Sequence, residues 1–203
     1  MLKRVSFLVA CVMLTGCVHT IGKDFKEPGE AQLRLGTTTR QDILALMGEP
    51  TKQSQNSVSE KSPEDVAKLT PFDAAPTNRM SAFIDYSFWR MTNHREMAFI
   101  FSDDRLTSYL FLSNFPEDGS NFDDAKISLI KKGVTTEPEI IRYFGSSYGK
   151  SIYPTVRDSG THELRFNYPS EKNAREGKEL RVLFDSKNVV KDFKFSSNIN
   201  LGS

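Results

Sequence analysis

The chain has little of what most chemistry-bearing proteins use. Its 203 residues include two cysteines, three histidines and one tryptophan. Both cysteines, Cys11 and Cys17, lie near the N-terminus, so the body has no thiol for a disulfide or a thiolate metal site and must be stable through its packed core. The histidines His19, His94 and His162 show no metal-ligand spacing. Charge is nearly balanced, with 27 Lys and Arg against 26 Asp and Glu. That leaves no strong field to recruit nucleic acid. No apolar run reaches the roughly 20 residues that a membrane-spanning helix needs.

The first residues carry a different signal. Lys3 and Arg4 precede an apolar run of about ten residues, Val5 to Leu14, the pattern of a secretory signal. Leu14-Thr15-Gly16-Cys17 resembles the bacterial lipobox. That resemblance implies cleavage between Gly16 and Cys17, removal of residues 1–16, and diacylglycerol on the Cys17 thiol. Val18 is not the aspartate that such families associate with inner-membrane retention, which points to the outer membrane, facing the periplasm. Residues 17–29 contain charges, Pro28 and Gly29 without periodicity, and read as a lipidated tether.

The body contains an internal repeat. Gly36-Thr37-Thr38-Thr39-Arg40-Gln41-Asp42-Ile43 aligns without gaps on Gly133-Val134-Thr135-Thr136-Glu137-Pro138-Glu139-Ile140. Thr39 with Asp42, and Thr136 with Glu139, place a hydroxyl three residues before a carboxylate, which caps a helix start. Apolar residues at Ile43, Leu44, Leu46 and Met47, and at Ile140, Ile141, Tyr143 and Phe144, make one stripe each. Gly48 and Gly145 stand where a helix ends in the left-handed region. Downstream, 96–103 aligns on 179–186, and 106–110 on 189–193, as strand, tight turn, strand. Residues 82–91 and 163–168 supply a further strand each, and short amphipathic segments near 30–35 and 123–131 a further helix each. The expected fold class is α+β, two tandem helix–helix–three-stranded antiparallel sheet repeats at 30–115 and 123–196. An inserted loop at 53–80, with one helical turn at 63–69, belongs to the first.

Alternation along the strands predicts the two sheet faces. Met97, Phe99, Phe101, Leu106, Leu110 and Leu112 should face the helices, as should Leu180, Val182, Phe184, Val189, Phe193 and Phe195. The opposite face of the first repeat would then carry Phe83, Trp89, Met91, Ile100, Tyr109 and Phe111, too aromatic for a solvated surface. In the second it carries Arg165, Asn167, Arg181, Asp192 and Lys194 around Leu183. The aromatic set is the candidate protein-binding surface. It is either docked by another envelope protein or covered by the second repeat or the inserted loop.

The capped helix ending in Leu46-Met47-Gly48-Glu49-Pro50, the aromatic strand Ile84 to Trp89 and the strand Phe99-Ile100-Phe101 resemble the SmpA/OmlA family of BamE-like outer-membrane lipoproteins. The doubled unit resembles the β-lactamase-inhibitor protein fold. The first resemblance implies a membrane-anchored binding or scaffold module in envelope or outer-membrane protein assembly. The second implies an inhibitor of a periplasmic or cell-surface enzyme. Catalysis is not expected: the acid pairs Asp103-Asp104 and Asp123-Asp124 read as turn and cap residues, Ser146-Ser147 has no adjacent base, and the glycines at 145 and 149 follow a helix instead of opening one. No cofactor and no metal are expected.

Overall fold

A computed structural model describes residues 19–170 and 176–200. Gly16 and Cys17, the expected cleavage and lipidation site, lie outside the described residues. The strands are β1 (Thr20–Ile21), β2 (Lys52–Val58), β3 (Arg79–Arg90), β4 (Asn93–Ser102), β5 (Arg105–Ser113), β6 (Gly149–Ile152), β7 (His162–Pro169), β8 (Glu176–Phe184) and β9 (Val190–Asn200). The α-helices are α1 (Arg40–Met47), α2 (Pro63–Ala67) and α3 (Glu137–Phe144).

These strands form one nine-stranded sheet in the order β1-β3-β4-β5-β6-β7-β8-β9, with β2 also paired to β3. Every pairing is antiparallel. This corrects the expected class: the protein is β-rich, not a pair of helix–helix–sheet repeats. Two physical reasons account for the difference. The segments expected as extra helices form only 3-10 turns, Glu30–Gln32 and Asp124–Leu129, which leaves one α-helix packed over each half of the sheet. The sheet also runs on through β6, which pairs with β5 at Ser108↔Ser151 and Tyr109↔Lys150. Gly149 permits that seam, because a Cβ there would stand 2.6 Å from the Tyr109 carbonyl oxygen.

Helices α1 and α3 cover one sheet face. Asp42 accepts the Thr39 amide at 2.8 Å, and Glu139 accepts the Thr136 amide at 2.8 Å, so both helix starts are capped. Gly48 and Gly145 end them with φ of 84° and 98° but with extended ψ, outside the left-handed helical well. Ile43 packs with Ile84, Phe99 and Phe101, whereas Ile140 packs with Leu164, Val182 and Phe184. The Gly36 amide donates to the Leu106 carbonyl at 2.7 Å, and the Gly133 amide to that of Val190 at 2.8 Å. Each helix is thus hung on the same point of its sheet.

Two stretches differ from expectation. Within 53–80, residues 53–58 belong to β2, which pairs with β3 from Asp85 to Arg79. Residues 19–28, expected as a loose tether, are fastened to the sheet. β1 pairs Ile21 with Trp89, and Phe25 packs edge-on against Tyr86. Gly22 allows the approach, since a Cβ would lie 2.1 Å from the Ser87 carbonyl oxygen. Arg95, 5% exposed, binds the Asp24 carboxylate, the Phe25 carbonyl at 2.6 Å and Asp118 at 2.7 and 2.9 Å. Among the described residues, no helix is long and apolar enough to cross a membrane.

Candidate functional site

The sheet face away from the helices holds a cleft of about 510 Å³ that crosses the β5–β6 seam. Its first wall comes from β3, β4 and β5: Phe83, Ala98, Ile100, Leu110 and Leu112. Its second wall comes from β7 and β8: Glu163, Arg165, Asn167, Glu179 and Arg181. Between them the hydroxyls of Ser108 and Ser151 meet at 2.7 Å. Small side chains at the seam leave room for the cleft.

The register decides which expected residues share this face. Phe83 pairs with Ile100, and Trp89 with His94, so these lie on the helix-free side. Tyr109 and Phe111 do not. Tyr109 pairs with Phe99 and Phe111 with Met97, and both are buried in the helix-side core. The cause is a β-bulge: Ile100 pairs with Ser108 but Phe101 with Leu106, leaving Thr107 over. One extra residue reverses the facing of everything beyond it. Leu110 and Leu112, expected to face the helices, therefore line the cleft instead. The β8–β9 pair carries the same irregularity, between Leu183↔Asp192 and Phe184↔Val190, which brings Val190 to the place expected for Val189. Met91 is in the two-residue turn between β3 and β4, away from the cleft.

The charged wall is held rigidly. Glu163 is 1% exposed and accepts from Arg165 at 3.1 Å and from Arg181 at 3.0 and 2.7 Å. A buried carboxylate is tolerated only with such pairing. Arg181 also donates to the Phe72 carbonyl at 2.8 Å and lies over the Phe72 ring. The chain around Phe72 is strapped to the same half by Arg157, which donates to the Leu69 carbonyl, and by the Ala75 amide, which donates to the Pro154 carbonyl. The strap thus lies over the charged wall and leaves Phe83 and Ile100 half-buried. Asn167, 3% exposed, has no hydrogen-bond partner for its Nδ2. A buried amide donor without an acceptor is costly, and this one lines the cleft.

Farther along the same face Asp85 lies near Glu96. Burial, reinforced by the Glu96 carboxylate, pushes the Asp85 carboxyl up to about 7. His94 stacks on Trp89 at 4.1 Å and sets its Nε2 3.4 Å from Glu96. On the helix side, Glu137 accepts from His162 at 2.9 Å and Lys150 at 3.1 Å, and Lys150 also reaches Glu30 at 2.9 Å. The His162 hydrogen bond and the Lys150 charge hold Glu137 at about 2. The Lys150–Glu30 pair joins the first half to the second. Among the described residues, no group of three His, Cys, Asp or Glu side chains is placed to hold a metal.

Sequence reasoning reached Phe83 and Ile100 through alternation, whereas Trp89 shares their face but does not line the cleft. It missed Leu110 and Leu112 because a bulge has no local signature, and it treated the charged residues of β7 and β8 only as a contrast. Compared with family models, with curated proteins and with solved structures, the chain matches none.

Proposed function

We propose that this is a non-catalytic, lipid-anchored binding or scaffold protein of the bacterial cell envelope, held by Cys17 and serving envelope or outer-membrane protein assembly. Its partner segment would lie in the cleft between the apolar and charged walls. The observation that carries this reading is the cleft itself, where Phe83, Ile100 and Leu110 form a row of half-buried apolar side chains along one wall. A partner that lays apolar side chains over Phe83, Ile100 and Leu110 takes that surface out of water. Interfaces combine such an apolar centre with a few fixed polar groups. An apolar sheet end beside the lipid site supports the scaffold reading over the enzyme-inhibitor one: Ile21 and Met91 are exposed there.

The test places a photo-crosslinking residue at Ile100 in intact membranes, with Asp104 in the distal turn as the control position. Capture at 100 but not at 104, lost when Leu110→Lys is added, is the expected result. Equal capture from both positions overturns the cleft as the docking site. Cys17→Ala should release the chain from membranes and abolish palmitate incorporation; retained labelling overturns the anchor.

A further inference from the structure

The fastening of residues 19–28 has a geometric consequence for the end of the sheet next to Cys17. The Met91 amide donates to the His19 carbonyl at 3.1 Å, so His19 is part of the folded body. His19 stands two positions after Cys17, and two residue steps of chain span at most about 7 Å. The polar headgroup zone on each side of the hydrocarbon core is itself about 5–8 Å deep. A lipid-bearing Cys17 therefore leaves the turn between β3 and β4 no distance from the bilayer.

That end has the surface such a position requires. Met91 is 74% exposed and Ile21 57% exposed. Met91 also has φ of 59°, a conformation uncommon for any residue but glycine, asparagine or aspartate. An exposed methionine in a strained turn gains nothing from the fold. Trp89, opposite Ile21 in the register, is half-buried, and tryptophan favours the membrane–water interface. The nearby carboxylates Asp24 and Glu117 are paired with Arg95 and Arg90, so they present little free negative charge to lipid headgroups. At the other end of β3, about 40 Å away at ~3.3 Å per residue, the β4–β5 turn carries Asp103 and Asp104, both exposed.

We propose that Ile21, Trp89 and Met91 form a lipid-contacting edge that sits in the headgroup region of the membrane holding Cys17, so that the sheet stands on the bilayer by this end. The proposal rests on the lipoprotein reading. It fixes the orientation of the protein as well as its attachment, with the acidic Asp103–Asp104 turn farthest from the lipid.

Trp89 is the sole tryptophan, so its fluorescence reports this edge alone. The experiment uses the mature full-length protein, extracted from its membranes and reconstituted into phosphatidylethanolamine–phosphatidylglycerol vesicles with brominated acyl chains. Palmitate labelling and the mass of Cys17 are read on the same sample. With the ring about 5–10 Å into the headgroup–acyl boundary, bromolipid should remove roughly half or more of the Trp89 emission. Met91→Asp and Ile21→Asp should each weaken that quenching without changing the label. Aspartate tolerates the φ of position 91 better than methionine does, so the first variant keeps its fold. A Cys17 that carries lipid with an unquenched Trp89 overturns the lipid-contacting edge and leaves the anchor standing. An unlabelled Cys17 overturns the anchor by its own readout. Quenching that persists in both aspartate variants shows that these side chains do not make the contact.

Discussion

Phe83 and Glu163 occupy the same place in the two halves of one sheet. Phe83 lies opposite Ile100, and Glu163 opposite Leu183. Both face away from the helices, yet one is a half-buried ring beside an open cleft and the other a buried carboxylate clamped by two arginines. On the helix side the halves agree: Phe101 and Phe184 are both fully buried, and each helix hangs from the same kind of backbone hydrogen bond. A shared helix-facing design with divergent outer faces teaches where constraint lies. The packed side must satisfy close packing in both halves. The outer side is free to specialise, and here it forms one apolar and one charged wall.

The strongest way to break the comparison is through the shared side. Phe101→Ala and Phe184→Ala should each cost about 3–5 kcal/mol, as large aromatic core truncations do. Urea unfolding followed by circular dichroism should show one transition shifted similarly by either change, because the sheet is continuous through β6. Two separated transitions would show that the halves unfold independently.

The equivalent outer positions should then respond differently. Glu163→Ala strands Arg165 and Arg181 and should cost about 3 kcal/mol, the scale of breaking a buried ion pair from one side. Phe83→Ala removes a half-buried ring from a cleft wall and should cost about 1 kcal/mol in area terms. Equal losses would mean that the two walls are structurally equivalent after all.

A third effect separates the carboxyls by acidity. Glu137 is held at about 2, below its ordinary value, so its stabilisation is present above about pH 4.5 and lost as pH falls through 2, about 2–3 kcal/mol in order of magnitude. Asp85 and Glu27 are pushed up to about 7, in each case chiefly by burial. An acid raised on folding opposes the folded state once its unfolded form ionises, so stability falls as pH rises from about 4 towards 7. Thermal melts should therefore peak near about pH 4–5, and Glu137→Gln should flatten the acid limb. A rise in stability from pH 5 to 7 would contradict the burial of Asp85 and Glu27.

The smallest expected effect sharpens the functional contrast. Leu110→Lys should change stability by less than about 1 kcal/mol, since the side chain is half-buried on an open wall, while abolishing partner capture from position 100. A stability loss as large as that of Phe101→Ala would place Leu110 in the core and remove it from the cleft.

Much of this architecture is written locally. The Thr39–Asp42 and Thr136–Glu139 spacings announce capped helices, and alternation identifies Phe99, Phe101, Leu180, Val182 and Phe184 as the helix-facing row. These signals are legible because each rests on residues within a few positions of one another, where backbone geometry dictates who meets whom. The face of Tyr109 and Phe111 is not written that way. It depends on Thr107 being left over opposite β4, a matter of cross-strand register that no alternation pattern within β5 records. Docking of residues 19–28 likewise depends on Arg95 gathering Asp24, Phe25 and Asp118 from distant parts of the chain. Local sequence thus determined the capped helices α1 and α3 and the side-chain rows of β3, β4 and β8. Only the tertiary structure decided which rows share a face, that the halves join in one sheet, and that the N-terminal segment lies against it, because those outcomes follow from hydrogen bonds and close approaches between residues far apart in sequence.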